Sequence, residues 1–121
     1  MKPRSSRLQA EQFGRQAERI CAWWLRLKGW TILDRRVKIR AGEVDIIARK
    51  GKIVSFIEVK ARASVADLDH AIDERRLLRV AAAAEALAHR YLKIGDDMQI
   101  DVMLLARGRP PRHLMNVWHG G

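Results

Sequence analysis

One stretch constrains the fold of this chain more than any other: Lys52 to Lys60, KIVSFIEVK. Lys52 to Val59 is almost continuously apolar and does not alternate, which is the composition of a central strand covered on both faces. A sheet built around such a strand needs a layer on each side, and the flanking sequence supplies two helices. From Leu8 to Lys28 the period is helical, with Phe13, Ala17, Ile20, Cys21, Trp24 and Leu25 on one stripe and Gly29 as a stop. A second helix is predicted from Asp73, a candidate N-cap, to Tyr91, with Leu77, Val80, Ala81, Ala84, Leu87 and Ala88 inward. Trp30–Arg40, Gly42–Arg49, Met98–Leu105 and His113–Trp118 read as further strands, with irregular connections at 61–71 and 107–112. The predicted order αβββαββ gives an α/β fold, one mixed sheet flanked by helices, over residues 8–121 behind a loose basic tail at 1–7.

At 121 residues the chain suits one core and leaves no room for a second domain. A single cysteine, Cys21, rules out an internal disulfide and argues against a cysteine-based zinc site. Apolar runs such as Ile20 to Leu25 and Val80 to Ala84 are far short of a membrane span, and the basic start at Met1 to Arg7 is not followed by an apolar segment. The expectation is a cytoplasmic protein with no membrane partner. The net charge is +10, and residues 1–50, with 13 basic and 5 acidic side chains, carry most of it. Such a balance points to a polyanion, nucleic acid ahead of a membrane surface. Neither GxxxxGK[ST] nor GxGxxG occurs, the four histidines lack metal-ligand spacing, and Ser55 sits in a strand with no histidine patterned near it.

The chemistry concentrates in 42–60. Glu58 and Lys60 end the covered strand two residues apart, and charges rarely enter such a strand unpaired. Glu43 and Asp45 share a face one strand earlier. A two-residue turn at Lys50-Gly51 sets Asp45 opposite Phe56 and Glu43 opposite Glu58, which puts Glu43, Asp45, Glu58 and Lys60 on one side. Asp45 and Glu58 become diagonal neighbours, roughly 7–8 Å apart at the backbone. Three carboxylates beside a lysine repel one another without a cation, and an all-oxygen donor set suits Mg²⁺ or Mn²⁺. A hard divalent ion next to a lysine is the equipment of phosphodiester hydrolysis. Periodicity leaves Glu18 divided between an exposed helix face and the border of the buried one, with Gly14 one turn earlier leaving space for close approach. Glu43 reads as a cap or ion-pair partner, and Asp101 stays open between core and site. Arg36, Lys38 and Arg40, then Arg62, then Arg75, Arg76 and Arg79, are the candidate phosphate contacts. Trp23 and Trp30 are expected to pack in or near the core, like Trp24.

Taken together, these residues resemble the PD-(D/E)xK nuclease superfamily, whose restriction-endonuclease-like fold includes archaeal Holliday-junction resolvases. Within it the chain is similar to the bacterial YraN family. The resemblance covers about residues 11–118 and is anchored by Gly14 and Glu18, Gly42-Glu43-Val44-Asp45, Phe56-Ile57-Glu58-Val59-Lys60, the basic start of the second helix, and Ile100-Asp101-Val102. It implies Asp45 and Glu58 as ligands of Mg²⁺ or Mn²⁺ with the Val59 carbonyl assisting, Lys60 as the water-positioning lysine, and Glu18 as an accessory acidic ligand. It also implies structured or branched DNA as substrate and a homodimer. The chain departs from it at Arg36, where many members carry Asn, at Arg76, where many carry Lys, and at 65–70, which replaces a Gly-containing loop. Two other readings stand beside the nuclease: a non-catalytic nucleic-acid-binding protein that keeps the fold, and a protein-interaction module whose basic face is incidental.

Overall fold

The computed structural model describes residues 4–64, 66 and 73–118. Its elements are α1 (Arg4–Leu27), β1 (Thr31–Ile39), β2 (Gly42–Lys50), β3 (Ile53–Arg62), α2 (Glu74–Tyr91), β4 (Asp97–Ala106) and β5 (Arg112–Leu114), in the predicted order. Helix α1 begins at Arg4 and so takes up part of the expected tail. The rest of that tail, 1–3, and most of the loop at 65–70 lie outside the described residues. Among the described residues no helix is long and apolar enough to cross a membrane.

The five strands lie in the order β1-β2-β3-β4-β5. β3 and β4 run parallel from Ile53↔Asp97 to Arg62↔Ala106 and the other pairs are antiparallel, so α2 is the crossover that a parallel pair requires. Side chains of β3 alternate between two cores. Val54 and Phe56 pack with α2 residues such as Leu77, Val80 and Leu87. Ile57 packs with Ala17, Cys21, Ala22 and Leu25 of α1, together with Trp30. The sheet is thus covered by one helix on each face, as the apolar run in β3 demands. Asp73 caps α2 by accepting from Arg75 N at 2.9 Å. Across the sheet edge, Arg49 reaches Asp96 at 2.6 Å and the Tyr91 carbonyl at 3.2 Å, which ties the β2–β3 turn to the end of α2 and the start of β4.

Three expectations are corrected. The buried stripe of α1 runs through Ala17, Glu18, Cys21, Ala22 and Leu25, and Ile20 falls off it at 41% exposed. Small residues win the sheet-facing positions because they let the helix approach closely. For the same reason Trp23 stays 60% exposed beneath the Arg26 guanidinium, whereas Trp30 is buried as expected. The fifth strand stops at Leu114 because Asn116 adopts a left-handed φ of 54° and turns its N–H to Asp101.

Candidate active site

The β2–β3 turn is Gly51-Lys52, since Lys50 pairs with Ile53 and Gly51 supplies a φ of 61°. The register is therefore displaced by two residues from the expected one, with Ile47 instead of Asp45 opposite Phe56. The ladder ends at Ile46↔Ile57, which makes Asp45 and Glu58 the next residues outward on the two strands. Beyond that pair the strands part. Asp45 fills the opening, and its Oδ2 accepts the Val59 N–H at 2.8 Å, a donor the ladder no longer satisfies.

Strand alternation breaks here as well. Val44 belongs to the α2-side core and Ile46 to the α1-side core, so Asp45 occupies the irregularity between them rather than a common face with Glu43, Glu58 and Lys60. Opposite it on β1, Arg36 holds a φ of 51°, a conformation that bulky residues adopt only under constraint. Both Arg35 and Arg36 consequently reach Glu18, where regular pleating would send them to opposite faces.

Glu18 is 4% exposed and settled on the buried side of α1. Arg35 Nε donates to its Oε1 at 2.7 Å. Arg36 Nε stands 3.0 Å from Oε2, but its N–H is not directed at that oxygen, and Oε2 is left buried without a hydrogen bond. Glu58, 2% exposed, receives Arg76 Nε at 2.9 Å and has Lys60 Nζ at 3.4 Å. Arg76 also approaches Glu43 at 3.7 Å, and Lys38 does so at 3.9 Å. Glu43 is thus an ion-pair partner at the rim, as its sequence position suggests.

Glu18, Asp45, Arg36 and Arg76 line one open cleft of about 260 Å³, together with Gly14, Arg15 and the backbone-anchoring Val59. Burial pushes the Asp45 carboxyl up to about 6; the Glu58 and Glu43 charges add to this, while the Val59 N–H and Arg76 oppose it. Burial likewise pushes the Cys21 thiol to about 12, helped by the charges of Asp45 and Glu18, so this cysteine is a packing residue beside the cleft. Gly14 does not serve close packing: a Cβ there meets nothing within 4 Å, and the position keeps the cleft open. Close approach belongs to Gly42 instead, where a Cβ would collide with the Arg79 carbonyl of α2.

Of the predicted site, then, Glu18, Asp45, Arg36 and Arg76 line one cleft, while Glu58 is linked to it through Arg76 and Lys60 through Glu58. Arg40, Arg75 and Arg79 are exposed outside the cleft lining, and Arg62 lines an adjoining cavity with Lys60. Asp101 is not part of it. Its carboxylate is held by Gln99 Nε2 at 3.0 Å, His113 Nε2 at 2.6 Å and Asn116 N at 2.8 Å. Among the described residues, no three His, Cys, Asp or Glu side chains converge closely enough to hold a metal ion. Guanidinium groups draw Glu18 and Glu58 toward themselves. Arg35 is the participant that sequence reasoning missed; the paired Arg35-Arg36 at a strand irregularity was its only trace.

The family described as "Uncharacterised protein family UPF0102" matches residues 17–105, a span that includes all four acidic and basic residues of the expected quartet. The chain is 60% identical over 109 residues to a UPF0102 protein of Erythrobacter litoralis, covering 90% of this chain and 94% of that one. It is 59% identical over 113 residues to one from Sphingopyxis alaskensis, covering 93% and 97%. A UPF0102 protein of Caulobacter vibrioides is 38% identical over 112 residues, covering 92% and 90%.

Proposed function

The chain belongs to the bacterial UPF0102 family, and from that premise and its cleft we propose that it is a divalent-metal-dependent nuclease that hydrolyses phosphodiester bonds in structured or branched DNA. The observation that carries the reading is Asp45. A chain that only needed a stable fold has no use for a carboxyl group half-buried where two strands part, beside two other carboxylates and with its pKa driven up to about 6. On this reading the β2–β3 hairpin, parallel β4 and α1 are a restriction-endonuclease-like core.

No three of these carboxylates converge on one point as the arginines now hold them, yet their donor chemistry suits a hard divalent cation. The donors are carboxylate oxygens, one of them the buried, unbonded Oε2 of Glu18, and the charges crowd each other in a way an added cation relieves. Asp45, Glu58 and Glu18, with the Val59 carbonyl, would hold Mg²⁺ or Mn²⁺. Such an ion supplies positive charge against the phosphate and acidifies water. Lys60, close beside Glu58, orients the attacking water and steadies the charge that develops on phosphate. Arg36 and Arg76 line the cleft and exchange their carboxylate partners for phosphate oxygens as DNA enters. Lys38 on β1 and Arg40 in the turn after it, with Arg75 and Arg79 on α2, continue the basic surface along the backbone. Among the described residues no base-reading helix stands out, so on this reading shape and backbone govern recognition. The proposed setting is the cytoplasm, with two copies acting on one branch.

Linear, flapped and four-way DNA and matching RNAs, incubated with Mn²⁺ or Mg²⁺, test this with wild type and Lys60→Ala side by side. Wild type is expected to cut at least one DNA, and Lys60→Ala to cut it at least about a hundredfold more slowly. Equal cutting by both indicates a contaminating nuclease. The second reading, a non-catalytic nucleic-acid-binding protein, draws on the ion pairs that already occupy Glu18 and Glu58. Salt-dependent DNA binding without cleavage by either protein would establish it.

A further inference from the structure

Phe13 on α1 is the shared wall of three cavities outside the cleft. The first, about 290 Å³, runs from Phe13 and Gly14 to Lys60 and Arg62. Through Gly14 and Val59 it adjoins the cleft that holds Asp45. The other two, about 360 and 270 Å³, lie on the side of the β4–β5 turn and share Gln16 and Arg107. That turn is closed by Arg109 N donating to the Ala106 carbonyl at 3.1 Å, with Gly108 at a φ of 74°, and it leaves Arg107 and Arg109 exposed. The Arg107 guanidinium lies 4.4 Å from the centre of the Phe13 ring.

The chemistry of this track differs from that of the cleft. Lys60, Arg62, Arg107 and Arg109 line it, and among the described residues no carboxylate does. In its middle sits one aromatic ring with a guanidinium plane against it. Gln12 and Gln16 stand one turn apart on α1 at the same spot and offer both donors and acceptors. Lys60 has Glu58 beside it, but Arg62, Arg107 and Arg109 make no ion pair among the described residues, and such cations suit a chain of phosphates. A stacking platform suits a flat base, and only an unpaired base exposes its face. A fully paired duplex leaves the platform unused.

We propose that the Phe13–Arg107 face is a second nucleic-acid subsite, which takes the unpaired strand leaving the cleft, with phosphates at Arg62, Arg107 and Arg109 and one base stacked on the Phe13–Arg107 pair. This rests on the nuclease reading of the neighbouring cleft and narrows its substrate to DNA with a single-stranded arm at the junction. The alternative occupant, an acidic peptide, would have no need of a flat stacking platform.

The test is fluorescence anisotropy of a labelled flapped duplex and a blunt duplex of the same sequence, with the full chain in EDTA. Wild type is expected to prefer the flap by about tenfold. Phe13→Ala and Arg107→Ala each remove most of that preference, and Phe13→Trp retains it. A preference unchanged in a folded Phe13→Ala protein overturns the subsite, as does stronger competition by polyglutamate than by single-stranded DNA of equal charge. Cleavage plays no part in this readout. Loss of flap preference in Phe13→Ala therefore supports the subsite even if no metal ever elicits cutting, and cutting by a protein with no flap preference leaves the nuclease reading standing alone.

Discussion

Asp45 on β2 and Asp101 on β4 are carboxylates drawn largely out of water on either side of β3, yet the chain treats them in opposite ways. Asp101 is fully buried and receives the Gln99 amide, the His113 ring and the Asn116 N–H. Burial raises its pKa, but His113, the nearby Ser55 hydroxyl and Asn116 outweigh that, and the group ends below its ordinary value. Asp45 receives one N–H, from Val59, and faces other carboxylates, so burial wins and the group rises to about 6. On the proposed reading, desolvation alone does not distinguish the functional carboxylate; the withholding of donors does. A fold selected for stability alone satisfies both sites alike.

Activity separates the two sites most widely. With Mn²⁺ and a DNA that wild type cuts, Asp45→Asn is expected to lower the cleavage rate by at least about a hundredfold. Asp101→Asn, assayed at a temperature where circular dichroism shows it folded, stays within about tenfold of wild type. Equal losses at the two positions would break the comparison.

Stability separates them in the reverse direction. Asp101→Ala strands the Gln99 and Asn116 donors and the His113 ring in the interior, at a cost of about 3 kcal/mol. Urea unfolding at pH 7.5 measures it. Asp45→Ala strands only the Val59 N–H, and the relief of like-charge crowding offsets that loss, so the midpoint moves much less.

How far was this contrast legible in the sequence? The order of elements, the two-faced burial of β3 and the presence of Asp45, Glu58 and Lys60 on the two strands of one hairpin follow from periodicity, and the Asp73 cap from residue type, because these are properties of local composition. Asp101 remained undecided because its partners Gln99, His113 and Asn116 are brought to it by the β4–β5 turn and a left-handed Asn116, which no local pattern encodes. The site register came out two residues off, because Lys50-Gly51 and Gly51-Lys52 are equally good hairpin turns on paper and the covered strands choose between them. Nor does spacing reveal that Asp45 fills a break in alternation, since that break depends on Arg36 holding a φ of 51° one strand away.

Proton linkage gives a finer test. In the metal-free protein, with EDTA present, the Asp45 pKa is raised from 3.8 to about 6, so the folded state holds this proton more tightly than the unfolded chain. The carboxylate therefore lowers stability, fully so above pH 6, and that burden disappears as pH falls below 3.8. Asp45→Asn is expected to be more stable than wild type at pH 7.5, by at most about 3 kcal/mol, and no more stable at pH 3.5. Asp101 has the opposite sign: its lowered pKa contributes stability above 3.8 that is lost as the medium becomes more acidic, so Asp101→Asn loses least in acid. Parallel pH profiles for the two asparagine variants would erase the distinction.

The smallest effect lies on the helix that closes the cleft. Gly14 sits inside α1, where glycine is a poor choice, and a Cβ there has open space around it. Gly14→Ala should therefore raise stability by about 0.5–1 kcal/mol through helix propensity alone. A loss of stability would mean that Gly14 is a packing residue, like Gly42 against the Arg79 carbonyl, and that the cleft is not held open at this point. A gain would mean that the wild type forgoes helix stability where Gly14 lines both the Asp45 cleft and the cavity leading to Lys60. That is the same pattern as Asp45 with its single donor: each is a locally unfavourable choice, and on the proposed reading both fall on the path of a phosphodiester backbone.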